Sequence, residues 1–256
     1  MWISLYTKNQ QSRDDSKLFD ERAHVITDFL NMKLANSKIK TSGITKIAMI
    51  ADGEVNSKQV FGPIKGYLSV IEYVDRFDAT DFSSLSFEHK NEEILKYILQ
   101  SVKNLSDKFE GDLTSYFQGL TNEFRQNGYR HSYDLHPIKF SHNRKYKVGI
   151  GVIVEDDREV LQFKVINILE KKEYFVPFLD FQPNRILFKD LIKYTKWING
   201  IYTIISDTKE IVFKFHPLTN KTQLILVPKF FTEEQLFDNL NMVTKNSEEY
   251  LKNMLF

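Results

Sequence analysis

The spacing of apolar positions changes midway along this chain. Between residues 94 and 124, Ile94, Leu95, Ile98, Val102, Leu105, Phe109, Leu113, Phe117, Leu120 and Phe124 recur at steps of three and four. That spacing puts them on one stripe of a helix, or of two helices broken near Gly111 and Asp112, with Gly128 placed to end the run. The stripe fits a buried face better than a coiled-coil seam. From Tyr146 the period drops to two. Tyr146, Val148, Ile150, Val152 and Val154 share one face, and Lys147, Gly149, Gly151 and Ile153 the other. An acidic turn (Glu155, Asp156, Asp157, Glu159) leads to Leu161, Phe163, Val165 and Leu169, and a charged turn leads to a third run, 174–181. Alternation of this kind is what a half-buried antiparallel sheet requires. Pro177 cannot donate to a ladder, so the third strand is an edge or is bulged.

The flanking pattern is mixed. Residues 2–6 read as a strand and 18–34 as a helix carrying Leu18, Phe19, Val25, Ile26, Phe29 and Leu30, capped by Asp15 or Ser16. Residues 44–51 form a strand closed by the Asp52-Gly53 turn, 55–61 return as its hairpin partner, and 67–74 form a further strand. Past the sheet, Pro183-Asn184 opens a helix running to Trp197 or Ile198 and stopping at Asn199-Gly200. Strands follow at 201–205, 211–215 and 223–227. Thr232 with Gln235 is a capping-box start, and Ser247 caps a last helix. The fold class is α+β: an N-terminal mixed α/β part (1–130) ending in the long helix or helices, then a mostly antiparallel sheet with flanking helices (131–256). The two parts are separate domains or share one core.

Composition sharpens this only at the margins. Hydrophobic residues make up 42% and aromatics 14% of 256 residues, against 10 Gly and 6 Pro, so core material is ample and long disordered linkers are not expected. With no cysteine, disulfides, thiolate catalysis and Cys-ligated zinc are excluded. Net charge is +1, so any contact with nucleic acid or an anionic membrane must be local. The start has no basic region followed by an apolar run, and no stretch is long and apolar enough to span a bilayer. The expectation is a soluble, cytoplasmic protein without a membrane partner.

Candidate chemistry concentrates between the long helix and the sheet. Arg125, Arg130, Lys139, Arg144, Lys145 and Lys147 gather there with His131, His136 and His142, a single acid, Asp134, and interleaved Tyr129, Tyr133, Phe140 and Tyr146. Cations with interleaved rings suit single-stranded nucleic acid, for which Arg125, Arg130, Arg144, Lys145 and Lys147 are the candidates. The plainer reading, a solvated connector whose charges keep an edge soluble, is favoured. His131, Asp134 and His136 are the candidate general base and orienting carboxylate. His131 and His136 stand five apart, matching neither helical nor strand ligand pairs, so no metal site is expected. The acidic turn lacks the glycine-bearing loop of a calcium site and is read as a soluble turn. Gly149 and Gly151 allow close approach of a helix or a ligand. No nucleophile elbow, zinc-protease or dinucleotide fingerprint is present, and no cofactor is expected.

These observations favour a non-catalytic protein-binding module, such as an inhibitor, an immunity-type protein or an assembly subunit. Its partner would be another protein, met through the edge carrying Tyr174, Val176 and Phe178. The alternative is a nucleic-acid-binding protein using 125–147. An enzyme built on His131, Asp134 and His136 ranks below both.

Overall fold

The first three elements make a β–α–β crossover. β1 (Trp2–Lys8) and β2 (Lys46–Asp52) run parallel, joined through α1 (Arg13–Ala35), because parallel neighbours need a connection of that length. The computed structural model describes every residue except 38, 40–42, 55–58, 62–69, 110, 111, 156, 157, 182–189 and 256; at 59–61 and 108 it describes the backbone alone. The chain is α+β and divides into two units, Met1–His131 and Ser132–Phe256.

In the first unit β4 (Val70–Arg76) lies parallel to β2, and β3 (Gln59–Phe61) runs antiparallel on the outer side of β4, giving the order β1-β2-β4-β3. Of the expected hairpin partner 55–61, residues 55–58 lie outside the described residues, and 59–61 do not pair with β2. The second edge of β2 is taken by β4, and β3 pairs with β4 instead. Ile3, Leu5, Ile47, Met49, Ile71 and Tyr73 are all buried, and the register puts them on one face. The long apolar stripe is two helices, α2 (Phe87–Leu105) and α3 (Leu113–Gln126). A single 3-10 turn, Ser106–Lys108, follows α2, and the Asp112 carboxylate caps α3 by accepting from Ser115 N at 2.9 Å. Asn104 of α2 donates to the Tyr73 hydroxyl, and burial pushes that phenol up to about 12.

Two polar features organise this unit. The Arg22 guanidinium is buried and donates to Asn91 Oδ1 (2.7 Å) and Tyr129 O (2.8 Å), over the Phe87 ring at 4.7 Å. It ties α1 to α2 and to the end of α3. Along β1, an edge strand, Asn31 Nδ2 donates to Ile3 O (2.8 Å) and Asn31 Oδ1 accepts from Ile3 N (2.7 Å), while Asp20 Oδ1 accepts from Thr7 N (2.6 Å). Side chains of α1 thus replace a missing neighbouring strand, one way of blunting an edge.

The second unit holds two four-stranded sheets. One has the order β5 (His131–Phe140), β6 (Tyr146–Val154), β7 (Glu159–Asn167), β8 (Lys172–Phe181). Its first residue, His131, groups with the first unit. The other has the order β12 (Lys221–Leu226), β11 (Ile211–His216), β10 (Ile201–Ile205), β9 (Tyr194–Ile198). They meet through aromatic rings. Phe163 of β7 is stacked against Phe178 (4.3 Å) and Phe215 (4.2 Å), and Phe213 and Tyr202 meet this stack edge-on. α4 (Glu233–Val243), opened by the Thr232–Gln235 capping box, and α5 (Glu248–Met254) pack beside β12.

Two sequence expectations change here. Residues 194–198 are not the end of a helix; they are β9, antiparallel to β10. Asn199 and Gly200 both have positive φ (49° and 82°), so this Asn-Gly pair turns a hairpin and does not end a helix. The proposed start of that helix, from Pro183, lies outside the described residues. Residues 131–140, read as a connector, form strand β5 beside β6. A Cβ on Gly149 would lie 2.9 Å from Ile138 Cγ1, so the close neighbour that needs this glycine is β5.

Candidate functional site

β5 carries the three candidate catalytic side chains, and strand alternation sends residue 131 to one side and residues 134 and 136 to the other. His131 is buried, edge-on to Phe29 (5.7 Å) and beside Phe124. Asp134 is exposed, and His136 Nε2 lies 2.7 Å from Ile192 O, beside β9. His131 packs with rings and His136 fastens β5 to the neighbouring sheet. Among the described residues no group of three or more His, Asp or Glu side chains is placed to hold a metal ion.

The basic candidates separate in the same way. Arg125 forms a two-pronged pair with Glu92 (2.7 and 2.9 Å) and also donates to Asn122, while the Tyr129 hydroxyl donates to the same carboxylate. The hydrogen bond from Arg125 is the main cause holding the Glu92 carboxyl below its ordinary range. Arg130, Arg144 and Lys145 are exposed. Lys147 lies over the Phe140 ring at 4.6 Å. Of the interleaved rings, Tyr129 packs edge-on against Phe87 and Phe124, and Phe140 is more than half exposed with Lys147 over one face. Within the second unit, the cations left facing solvent from this stretch sit on the β5–β6 turn.

β8 is both an edge and a bulged strand. The register slips between Leu161 and Gln162, where Leu179 and Pro177 face them and Phe178 is the extra residue. Pro177 sits at the position where a missing donor is tolerated. Of the proposed contact residues, Phe178 is buried in the aromatic stack and unavailable to a partner; Tyr174 and Val176 are half-buried, and the Tyr174 hydroxyl donates to Pro217 O. The upper half of the outer edge is occupied. Lys245 N donates to Asp180 O, Asp180 N to Asn246 Oδ1, the Tyr250 hydroxyl to Phe178 O, and Phe181 bridges Thr244. Among the described residues these bonds all fall on 178–181. Among the described residues no hydrogen bond caps the outer backbone edge of 172–177, and this half presents Phe175, half exposed at 50%.

The signal missed in the sequence lies at the turns. The β5–β6, β7–β8, β9–β10 and β11–β12 turns meet at one end of the second unit. Ile168 N donates to Lys145 O (2.9 Å), Tyr174 reaches Pro217, and a cleft of about 450 Å³ is lined by residues of the β5–β6, β9–β10 and β11–β12 turns, including His142, Tyr146, Asn199 and His216. Leu169 and Leu218 stand at the tips of two turns, 73% and 82% exposed. An apolar residue where turn chemistry favours polar ones was the available clue.

At the β10–β11 turn, buried Glu210 clamps the chain entering α4. Its Oε1 accepts from Lys229 N (3.1 Å), Phe230 N (2.8 Å) and Phe231 N (3.1 Å). Burial pushes this carboxyl up, but the bonds from Phe230, Phe231 and Lys229, with one from Thr208, outweigh it and leave its pKa below the ordinary glutamate value. A depressed folded-state pKa stabilises the fold above the unfolded value and loses that contribution as pH falls through the folded one. Glu210→Gln is therefore expected to lower the thermal midpoint at neutral pH and to flatten its fall below pH 4–5, the ordinary glutamate range of about 4.3. Thermal melts across that range check it; parallel wild-type and variant curves would show that Glu210 is not the titrating clamp.

No protein-family model, curated protein or solved structure matches the chain. Among the described residues no helix is long and apolar enough to cross a membrane.

Proposed function

We propose that this chain is a non-catalytic binding module whose partner is another protein. The observation that carries the reading is the half-open edge of β8. Residues 178–181 are covered by the chain's own C-terminal segment, whereas 172–177 present backbone and the Phe175 ring at the margin of the sheet. An extended segment of a partner can add there as a further strand, with main-chain hydrogen bonds supplying affinity and contact with the exposed Phe175 ring supplying choice. The distribution of polar groups supports it as well. His131, His136 and Arg125 are engaged in packing or pairing within the fold, which suits a scaffold more than a reaction centre.

The test is capture of partners on the immobilised chain, with nuclease treatment in parallel, comparing wild type with Phe175→Glu. The expected result is a protein retained after nuclease treatment and lost with the variant, together with slowed amide exchange at 172–176 in the complex. A retained set that is unchanged by Phe175→Glu would remove this edge as the site. Loss of all retention on nuclease treatment would favour the nucleic-acid reading.

A further inference from the structure

We infer that the four-turn end of the second unit is a docking surface for an anionic lipid bilayer. The argument begins with what the turns hold out. Leu169 and Leu218 stand at hairpin tips, each about three-quarters or more in solvent, outside the core. Around them lie Arg144, Lys145, Lys171, Lys172 and Lys221, all exposed and, among the described residues, none in an ion pair. Against these stand Glu170 and Glu173, and Glu173 already lies 3.5 Å from Lys164. A chain of near-zero net charge thus concentrates unpaired cations at one end of one unit.

The turns are fixed before any ligand arrives. The Asn167 side chain accepts from Leu169 N and Glu170 N (3.2 Å each), and Lys171 closes that turn with φ +53°. The Asn143 side chain, bonded to Ser141 Oγ (2.8 Å), accepts from Lys145 N (3.1 Å), with Arg144 at φ +55°. Thr219 N returns to His216 O (3.2 Å), and Asn220 has φ +55°. Rigid display spares the ordering cost of binding.

Charge complementarity sets the occupant. Cations spread around two protruding leucines match a surface that is anionic at the headgroups and apolar just beneath. Nucleic acid fits less well, because bases stack on rings and the two apolar side chains that protrude furthest from the tips are aliphatic. A peripheral contact of this kind needs no spanning helix.

The test is co-sedimentation of the full chain with phosphatidylcholine vesicles with and without phosphatidylserine. Binding is expected only with phosphatidylserine and falls as salt rises. Leu169→Ser with Leu218→Ser is expected to weaken it about a hundredfold, from the loss of two inserted side chains. Arg144→Asn with Lys145→Gln is expected to weaken it about thirtyfold, at one unit of surface attraction per cation. All four positions are exposed turn sites, and melts matching wild type confirm folding. Absence of vesicle binding overturns the inference, as does equal binding to neutral vesicles or binding that neither variant weakens. Displacement of the vesicles by a single-stranded oligonucleotide or by polyglutamate would reassign the surface to nucleic acid or to an acidic protein. Because Phe175→Glu leaves the turn tips intact, its effect on protein capture is read separately.

Discussion

Phe163→Ala is expected to cost the second unit about 3–5 kcal/mol, the range for deleting a buried phenylalanine whose surroundings cannot collapse. The ring lies between Phe178 and Phe215, with centroids at 4.3 and 4.2 Å, so its loss opens a gap between two sheets that meet through that stack. Neither neighbour can follow. Phe178 is fixed by the β8 bulge, and Phe215 by its place in β11, paired with Tyr202 and Thr222. The chain has two tryptophans, Trp2 in the first unit and Trp197 in the second, and Trp197 packs edge-on to Tyr202 at 5.4 Å. Denaturant unfolding followed by tryptophan fluorescence in a Trp2→Phe background therefore reports the second unit alone. A loss below about 1 kcal/mol would mean that the sheets close over the gap, because the cost at fixed chemistry depends on how far the site collapses.

This stack shows what the chain makes legible. Phe163 and Val165 are spaced two apart, which identified β7 and its buried face from sequence alone. Which residues complete the stack was not legible, since Phe215 lies 52 positions beyond Phe163 and no local period links them. The same division runs through the rest of the molecule. The two-helix stripe, the capping box at Thr232 and the bulged edge strand at Pro177 follow from local chemistry, and the structure has all three. β9 was misread because Leu191 and Ile198 stand seven apart, an interval that also fits one face of a helix. The Asn-Gly hairpin and the pairing with β10 decided the outcome. β5 was hidden because its charged and histidine side chains resemble a connector, and its place in the sheet is visible only from Gly149 opposite it. Local clustering also overstated the basic stretch. Arg125 and Arg144 are 19 positions apart, and folding gives the first to Glu92 and leaves the second at a turn. The turn-end surface gathers residues from four separated hairpins, so no window along the chain contains it.

In the first unit the largest effect is expected from Asn31→Leu. Asn31 is 3% exposed, and its amide serves both the N–H and the C=O of Ile3 on an edge strand. Leucine keeps the branched four-atom skeleton of asparagine, is somewhat bulkier, and carries no polar atom, so both backbone groups lose their partner. Each buried backbone group left unsatisfied costs about 1–3 kcal/mol, giving roughly 2–6 kcal/mol for the pair. The cost falls on β1 first. Trp2 adjoins Ile3, so unfolding followed in a Trp197→Phe background reads it directly. Amide exchange should rise at Ile3 more than at Ile47, its neighbour in β2. Asp20→Ala offers the comparison. It removes one acceptor, from Thr7 N, and leaves the carbonyl of that residue untouched, so its loss should be about half as large or less. If Asn31→Leu proved neutral, water would be reaching the outer edge of β1, and the sealing of that edge by α1 would be wrong. A loss confined to Trp2 and Ile3, with the rest of the unit intact, would instead show that β1 frays from β2 as a separate step. That outcome would put the edge strand at the low-stability end of this unit.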